Sequence, residues 1–108
     1  MATTMRAIAM ITSLPATDPH ALVQVELPVS TPGPLDLLVR VKAVSVNPVD
    51  VKIRAGAGDQ DTPKVLGWDA AGVVEHAGDD VTGFTVGDEV FYAGDLTRPG
   101  TNSELHVV

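Results

Sequence analysis

The sequence predicts a mainly β fold, a small barrel or sandwich, with one short helix near residues 48–55. Three observations predict it. Short apolar segments, some alternating with polar residues, recur along the 108 residues, and turn-forming glycine, proline and aspartate residues separate them. Only one segment begins with a strong helix-start signal. The chain has the length of about one domain.

The predicted strands follow one another at short intervals. They cover residues 5–11, 21–27, 37–46, 69–77, the end of a turn-and-strand segment over 84–92, and 104–108. In the third strand, apolar residues at 39, 41 and 43 alternate with Arg40 and Lys42. Since side chains alternate across a strand, we expect one apolar face and one face with both cations. The small residues that open segment 69–77 predict that another backbone packs closely there.

The helix prediction depends on four residues. Asn47 is a good N-cap, and Pro48 suits the first helical position. Asp50 lies near the positive end of the helix dipole, and Gly56 can end the helix. Asn47 and Asp50 therefore have a structural role available to them, whatever else they do.

Composition and charge exclude several functions. The formal net charge is −7, so we expect no nucleic-acid partner and no binding to anionic membrane surfaces. No signal peptide is visible, and no segment approaches the roughly 20 apolar residues of a membrane helix. The chain has no cysteine, which excludes disulfides, thiolate zinc sites and cysteine nucleophiles. We expect a cytoplasmic protein. The histidines show no metal-ligand spacing; they are His20, His76 and His106.

Three segments in order resemble one known family. They are residues 47–56, residues 66–75 with 86–90 following, and residues 100–108. Together they are similar to the GroES-like catalytic domain of medium-chain dehydrogenases/reductases, in the zinc-free quinone oxidoreductase and zinc-type alcohol-dehydrogenase-like group. The resemblance implies a GroES-like, partly open β-barrel over residues 5–108, after a loose leader at residues 1–4.

The resemblance also implies that a dinucleotide-binding domain is missing from this chain. No G-x-G-x-x-G sequence follows a strand and opens a helix. The nearest glycine cluster, residues 56–58, follows the predicted helix and precedes an acidic loop. We expect a truncated catalytic domain that is inactive alone.

The residues at the family's zinc positions predict that no zinc is bound. In zinc-dependent relatives a cysteine opens the first segment and a histidine lies in the second; here Asn47 and Trp68 stand there. Catalytic zinc needs three N, S or O ligands from the protein. The four-cysteine zinc lobe of those relatives would lie between Val90 and Gly100, where this chain has only a short link.

Without zinc, the resemblance implies hydride transfer from NADPH to a small quinone, enone or carbonyl substrate. Asn47 would lie by the nicotinamide, as a catalytic and cofactor-binding residue. Lys52, where relatives often have a tyrosine, is the second catalytic candidate; Asp50, Trp68 and Asn102 are substrate-pocket candidates. Each of two candidates also has a structural interpretation that remains open: Lys52 as a solvated lysine of the helix, and Trp68 as a core residue.

An alternative function is a free-standing GroES-like β module that binds a protein or assembles into oligomers. The long loops are acidic or rich in proline rather than apolar, so we rank this below the oxidoreductase. Later segments of the family's chain complete the catalytic domain. Without them, sheet edges and apolar surface would be exposed, which predicts self-association.

Overall fold

The computed structural model describes residues 4–108. Its elements, in chain order, are β1 (Thr4–Met10), β2 (Val23–Pro28), β3 (Leu37–Ser45), α1 (Pro48–Gly56), β4 (Lys64–Val65), β5 (Asp69–Ala77), β6 (Glu89–Ala93) and β7 (Leu105–Val107). The predicted mainly β class, with a single short helix in the described part of the chain, is confirmed. Of the predicted leader, residues 1–3 lie outside the described residues, and Thr4 is the first residue of β1.

The strands form two antiparallel sheets. The first has the order β2-β1-β4 and the second the order β6-β5-β3-β7. A bridge between Ala7 and Ser103 and a hydrogen bond from the Ile8 N–H to the Asn102 carbonyl (2.8 Å) connect β1 to the segment before β7. Over residues 4–108 the sheets do not close into a continuous barrel, in agreement with the partly open barrel that was predicted.

The core is aliphatic, because the chain has few aromatic residues. Buried side chains of β3, β5 and β7 form two clusters at one end of the second sheet: Leu37, Val39 and Val74 in one, and Leu38, Leu105 and Val107 in the other. A separate cluster joins Met10, Leu66 and Trp68 to the helix. This helix cluster fixes α1 against the strands and so positions the start of the helix.

Burial in β3 changes along the strand rather than between its two faces. Leu37, Leu38 and Val39 are all buried, whereas Ala43 and Val44 are both exposed. The expected alternation of faces therefore does not describe which residues are buried. The reason is long-range: β7 pairs only with residues 38–40 of β3, so the second half of β3 has no cover from that side.

Other local predictions hold or shift by a few residues. β5 covers the predicted residues 69–77. A Cβ atom at Gly72 would overlap the main-chain oxygen of Arg40, which confirms that another backbone packs closely there. β6 begins only at Glu89, because Asp88 accepts a hydrogen bond from the Thr85 N–H (2.9 Å) and closes a turn before it. The two-residue strand β4 was not predicted.

Candidate functional site

The start of α1 is fixed by Asn47 and Asp50. Asn47 is the N-cap, as predicted, with extended backbone angles (φ −126°, ψ 164°). The carboxylate of Asp50 accepts a hydrogen bond from the Asn47 N–H (2.7 Å), and the Asp50 N–H donates to the Asn47 carbonyl (3.0 Å). Asp50 is 9% exposed, and its second carboxylate oxygen is buried without a partner. The main chain of Asn47 is thus held by the first turn of the helix.

The side chain of Asn47 is held by the sheet. Its amide nitrogen Nδ2 donates to the carboxylate of Asp69, the first residue of β5, and lies 3.5 Å from the Ser45 carbonyl. Asp69 was not among the predicted site residues. The available signal was its place directly after Trp68 in the second family-like segment, as a carboxylate followed by five small or apolar residues.

Trp68 lies in the contact between the helix and the strands. It is 4% exposed and packs with Met10 and Leu66, and the helix residues Val49 and Ile53 pack against the same cluster. Its indole nitrogen is buried without a hydrogen-bond partner. Trp68 is therefore a core residue, as one of its two interpretations predicted. The indole N–H is the only polar atom of its side chain.

The remaining predicted residues lie apart from this group. Lys52 is exposed on α1. Asn102 lies beside Gly67: its N–H donates to the Leu66 carbonyl (3.0 Å), and a Cβ atom at Gly67 would overlap its side-chain oxygen. Gly67 has φ +92°, which only glycine adopts readily. The structure therefore brings Asn47 into contact with both Asp50 and Asp69. Trp68, which precedes Asp69 in the chain, is buried, whereas Lys52 lies on the exposed surface of the helix.

A shallow depression begins at Asp69. It encloses about 500 Å³ and is lined by residues of β3, β5 and β6: Ala43, Val44, Ser45, Asp69, Ala70, Ala71, Phe91, Tyr92 and Ala93. Most of these side chains are small and apolar, and Phe91 is 88% exposed. The hydrogen bond between Asn47 and Asp69 thus lies at the polar end of an open apolar surface.

His106 is held by neighbours on both ring nitrogens. Its Nε2 donates to the Pro99 carbonyl (3.0 Å), so in the neutral ring Nδ1 accepts from the Tyr92 hydroxyl (2.7 Å). Burial lowers the pKa of His106 and raises the pKa of Tyr92 to about 12. Over residues 4–108, no group of three His, Cys, Asp or Glu side chains is placed to hold a metal ion.

A family model matches most of the chain. The alcohol dehydrogenase GroES-like domain matches residues 33–104, a range that contains α1, Trp68, Asp69 and Asn102. The class of protein that the fold and this match define is a GroES-like β domain. The chain belongs to the alcohol dehydrogenase GroES-like family, within the medium-chain dehydrogenases/reductases, as the resemblance implied.

Three of the proteins that this chain resembles are named as alcohol dehydrogenases, alcohol dehydrogenase-like proteins or quinone oxidoreductases. A zinc-type alcohol dehydrogenase-like protein of Staphylococcus epidermidis is 38% identical over 104 residues, covering 96% of this chain and 31% of that protein. The crystal structure of a Rhizobium etli protein, provisionally assigned as a zinc-dependent alcohol dehydrogenase, matches with 51% identity and a TM-score of 0.93, covering 97% of this chain and 31% of that one. An Escherichia coli quinone oxidoreductase complexed with NADPH matches with 27% identity and a TM-score of 0.75, covering 95% and 30%.

The chain thus spans about a third of the length of these relatives. The comparisons favour the oxidoreductase family over a free-standing module for protein binding or oligomer assembly. None of the helical structure in residues 4–108 has the length and apolar character needed to span a bilayer.

Proposed function

We propose that this chain is the catalytic-domain part of a zinc-independent, NADPH-dependent oxidoreductase that acts on small quinones, enones or carbonyl compounds. Family membership and the similarity to a quinone oxidoreductase complexed with NADPH support this proposal. In such an enzyme the hydride comes from NADPH. The chain by itself, without a dinucleotide-binding domain, is then inactive, and the complete enzyme is cytoplasmic.

One observation carries the zinc-free assignment. At the two positions where the resemblance implies metal ligands, Asn47 donates its amide nitrogen to Asp69, and Trp68 is buried against the helix. An indole N–H has no lone pair to offer a metal, and the Asn47 amide has only its oxygen, which is not among the usual zinc ligands. This site therefore supports binding of a cofactor and a carbonyl-containing substrate by hydrogen bonds rather than by metal coordination.

The proposed roles follow from the atoms each residue presents. Asn47 contacts the cofactor: because its nitrogen donates to Asp69, its amide oxygen is the atom that can accept a hydrogen bond from a ligand. Lys52, exposed on α1, is the proposed proton donor or substrate contact. Asp50, Trp68 and Asn102 are the proposed pocket residues, of which Trp68 offers a free indole N–H.

The test uses the full-length protein that contains this chain. NADPH oxidation is measured with a naphthoquinone, an enone and a simple aldehyde, before and after dialysis against a strong chelator. The zinc content of the same sample is measured by mass spectrometry. We expect turnover of at least one acceptor that survives chelation, and zinc far below one ion per chain.

Stoichiometric zinc, with activity lost to the chelator and restored by zinc, would contradict the proposal. This outcome is a specific alternative to the proposal, because the Rhizobium relative is provisionally assigned as a zinc-dependent alcohol dehydrogenase. The 108-residue chain is assayed in parallel, and turnover by it alone would contradict the proposed need for a second domain.

A further inference from the structure

We propose that Asp69 is a positioning residue, which fixes the orientation of the Asn47 amide so that its oxygen, and not its nitrogen, faces the cofactor side of the site. This inference rests on the proposed function, because it gives a direction to the role assigned there to Asn47. Asp69 touches no reacting atom in this scheme, and it acts only through Asn47.

The oxygen and nitrogen of an asparagine side chain have nearly the same shape, and its terminal torsion is broad and roughly two-fold. An unrestrained Asn47 would therefore present a donor or an acceptor to a ligand with little preference. The hydrogen bond that the Asn47 main-chain N–H donates to the Asp50 carboxylate leaves this choice open.

A carboxylate removes the choice because it can only accept hydrogen bonds when ionised. With Nδ2 toward Asp69 the pair forms a charge-assisted hydrogen bond, of a kind roughly twice as strong as a neutral one. With the amide turned over, its oxygen would face the carboxylate oxygens and repel them. Only one orientation of Asn47 is compatible with an ionised Asp69.

Asp69 is itself well anchored. As the first residue of β5, it pairs with Ser45 of β3 and with Ala93 of β6. Its carboxylate therefore moves with the four-stranded sheet, while the Asn47 main chain moves with the helix through Asp50. Asn47 thus connects two separate elements, and its amide stays fixed only while both connections are present.

The first experiment reads the amide directly, by ¹⁵N–¹H spectroscopy of the 108-residue chain. In the unmodified chain we expect one Asn47 side-chain proton to be shifted downfield and protected from exchange by the Asp69 carboxylate. Asp69→Ala should abolish that shift, and Asp69→Asn, which keeps the shape but offers only a neutral amide oxygen as acceptor, should reduce it. Asp80→Asn, which removes a charge from an exposed turn, is the matched control and should leave it unchanged.

The second experiment is a double-mutant cycle in the full-length enzyme. We expect Asn47→Ala and Asp69→Ala each to lower kcat by about tenfold, which corresponds to about 1.4 kcal/mol of activation free energy. In the Asn47→Ala background, Asp69→Ala should add nothing. Asp69→Glu, which retains the carboxylate, should recover part of the loss, and the KM for the quinone should change little.

Each outcome supports or overturns the inference. An Asn47 signal that is indifferent to Asp69→Asn, or losses that multiply in the double variant, would overturn the positioning role and leave the proposed function standing. Full activity in Asn47→Ala would overturn the inference together with the cofactor role of Asn47, and would leave the oxidoreductase proposal to the NADPH and chelator assay. If Asp69→Ala lowers the Tm, Asp69→Asn replaces it in the cycle, with the same expectation.

Discussion

The two halves of β3 differ in burial. At its start, Leu37, Leu38 and Val39 are buried between β5 and β7. At its end, Val44 is exposed, and Val46, just beyond the strand, is 75% exposed. The strand thus begins in the core and ends in the candidate site. Stability is concentrated at one end, and the surface available to a ligand or another chain segment lies at the other.

The largest effect should come from the close approach of the two central strands. A Cβ atom at Gly72 would overlap the main-chain oxygen of Arg40, which cannot move without separating β3 from β5. We expect Gly72→Ala to lower the free energy of unfolding by about 3 kcal/mol. Gly56→Ala is the matched control, because nothing lies within 4 Å of that Cβ position. Urea denaturation measures both, and equal effects would contradict the packing at Gly72.

A pair of identical substitutions tests the two halves of β3 directly. Val39 is fully buried and Val44 is 42% exposed. We expect Val39→Ala to lower the free energy of unfolding by about 2 kcal/mol, and Val44→Ala to change it by less than about 0.5 kcal/mol. Denaturant melts of the two variants give the comparison. Similar losses from both would show that the exposed half is packed in solution, for example by association.

Acid should lower the stability of the folded chain through His106, a buried residue of β7. Burial lowers the pKa of its ring in the folded state, from an ordinary value of 6.5. The unfolded chain therefore takes up a proton at a higher pH than the folded chain, and stability falls as the pH drops from 7 through the folded pKa.

The Tm of the unmodified chain and of His106→Gln is measured between about pH 7.5 and 5, a range that includes the ordinary histidine pKa. The variant should lose less on acidification than the unmodified chain does. His20→Gln, at an exposed position, is the control and should behave as the unmodified chain. An equal acid loss with and without His106 would assign the effect to other groups.

The smallest effect on stability, together with a measurable effect on association, should come from the exposed apolar depression beside the second half of β3. Phe91 is 88% exposed on the apolar depression. We expect the 108-residue chain to self-associate at high concentration, and Phe91→Ser to reduce this while changing the free energy of unfolding by less than about 0.5 kcal/mol. Leu96→Ser, at an exposed loop residue outside the depression, is the control. A monomeric unmodified chain in sedimentation at high concentration would contradict this prediction.

Local chemistry was enough to predict α1, its N-cap and the extent of β5. Asn47 and Pro48 signal a helix start by themselves, and the helix indeed begins at Pro48. The burial gradient of β3 was not predictable, because it depends on where β7 pairs, more than 60 residues later in the chain. The partner of the Asn47 amide was missed for the same reason: Asp69 is 22 residues away, and only strand register brings it close.

The burial of Trp68 links the packing of the helix to any change of chemistry at this position. The resemblance implies that Trp68 stands where zinc-dependent relatives have a metal-ligating histidine, and in this chain it is a main contact between the helix and the strands. Full truncation of a buried tryptophan costs about 3–5 kcal/mol, so exchange for histidine would remove a large part of that contact. A single exchange at this position would therefore weaken the attachment of α1 while it changed the side-chain chemistry.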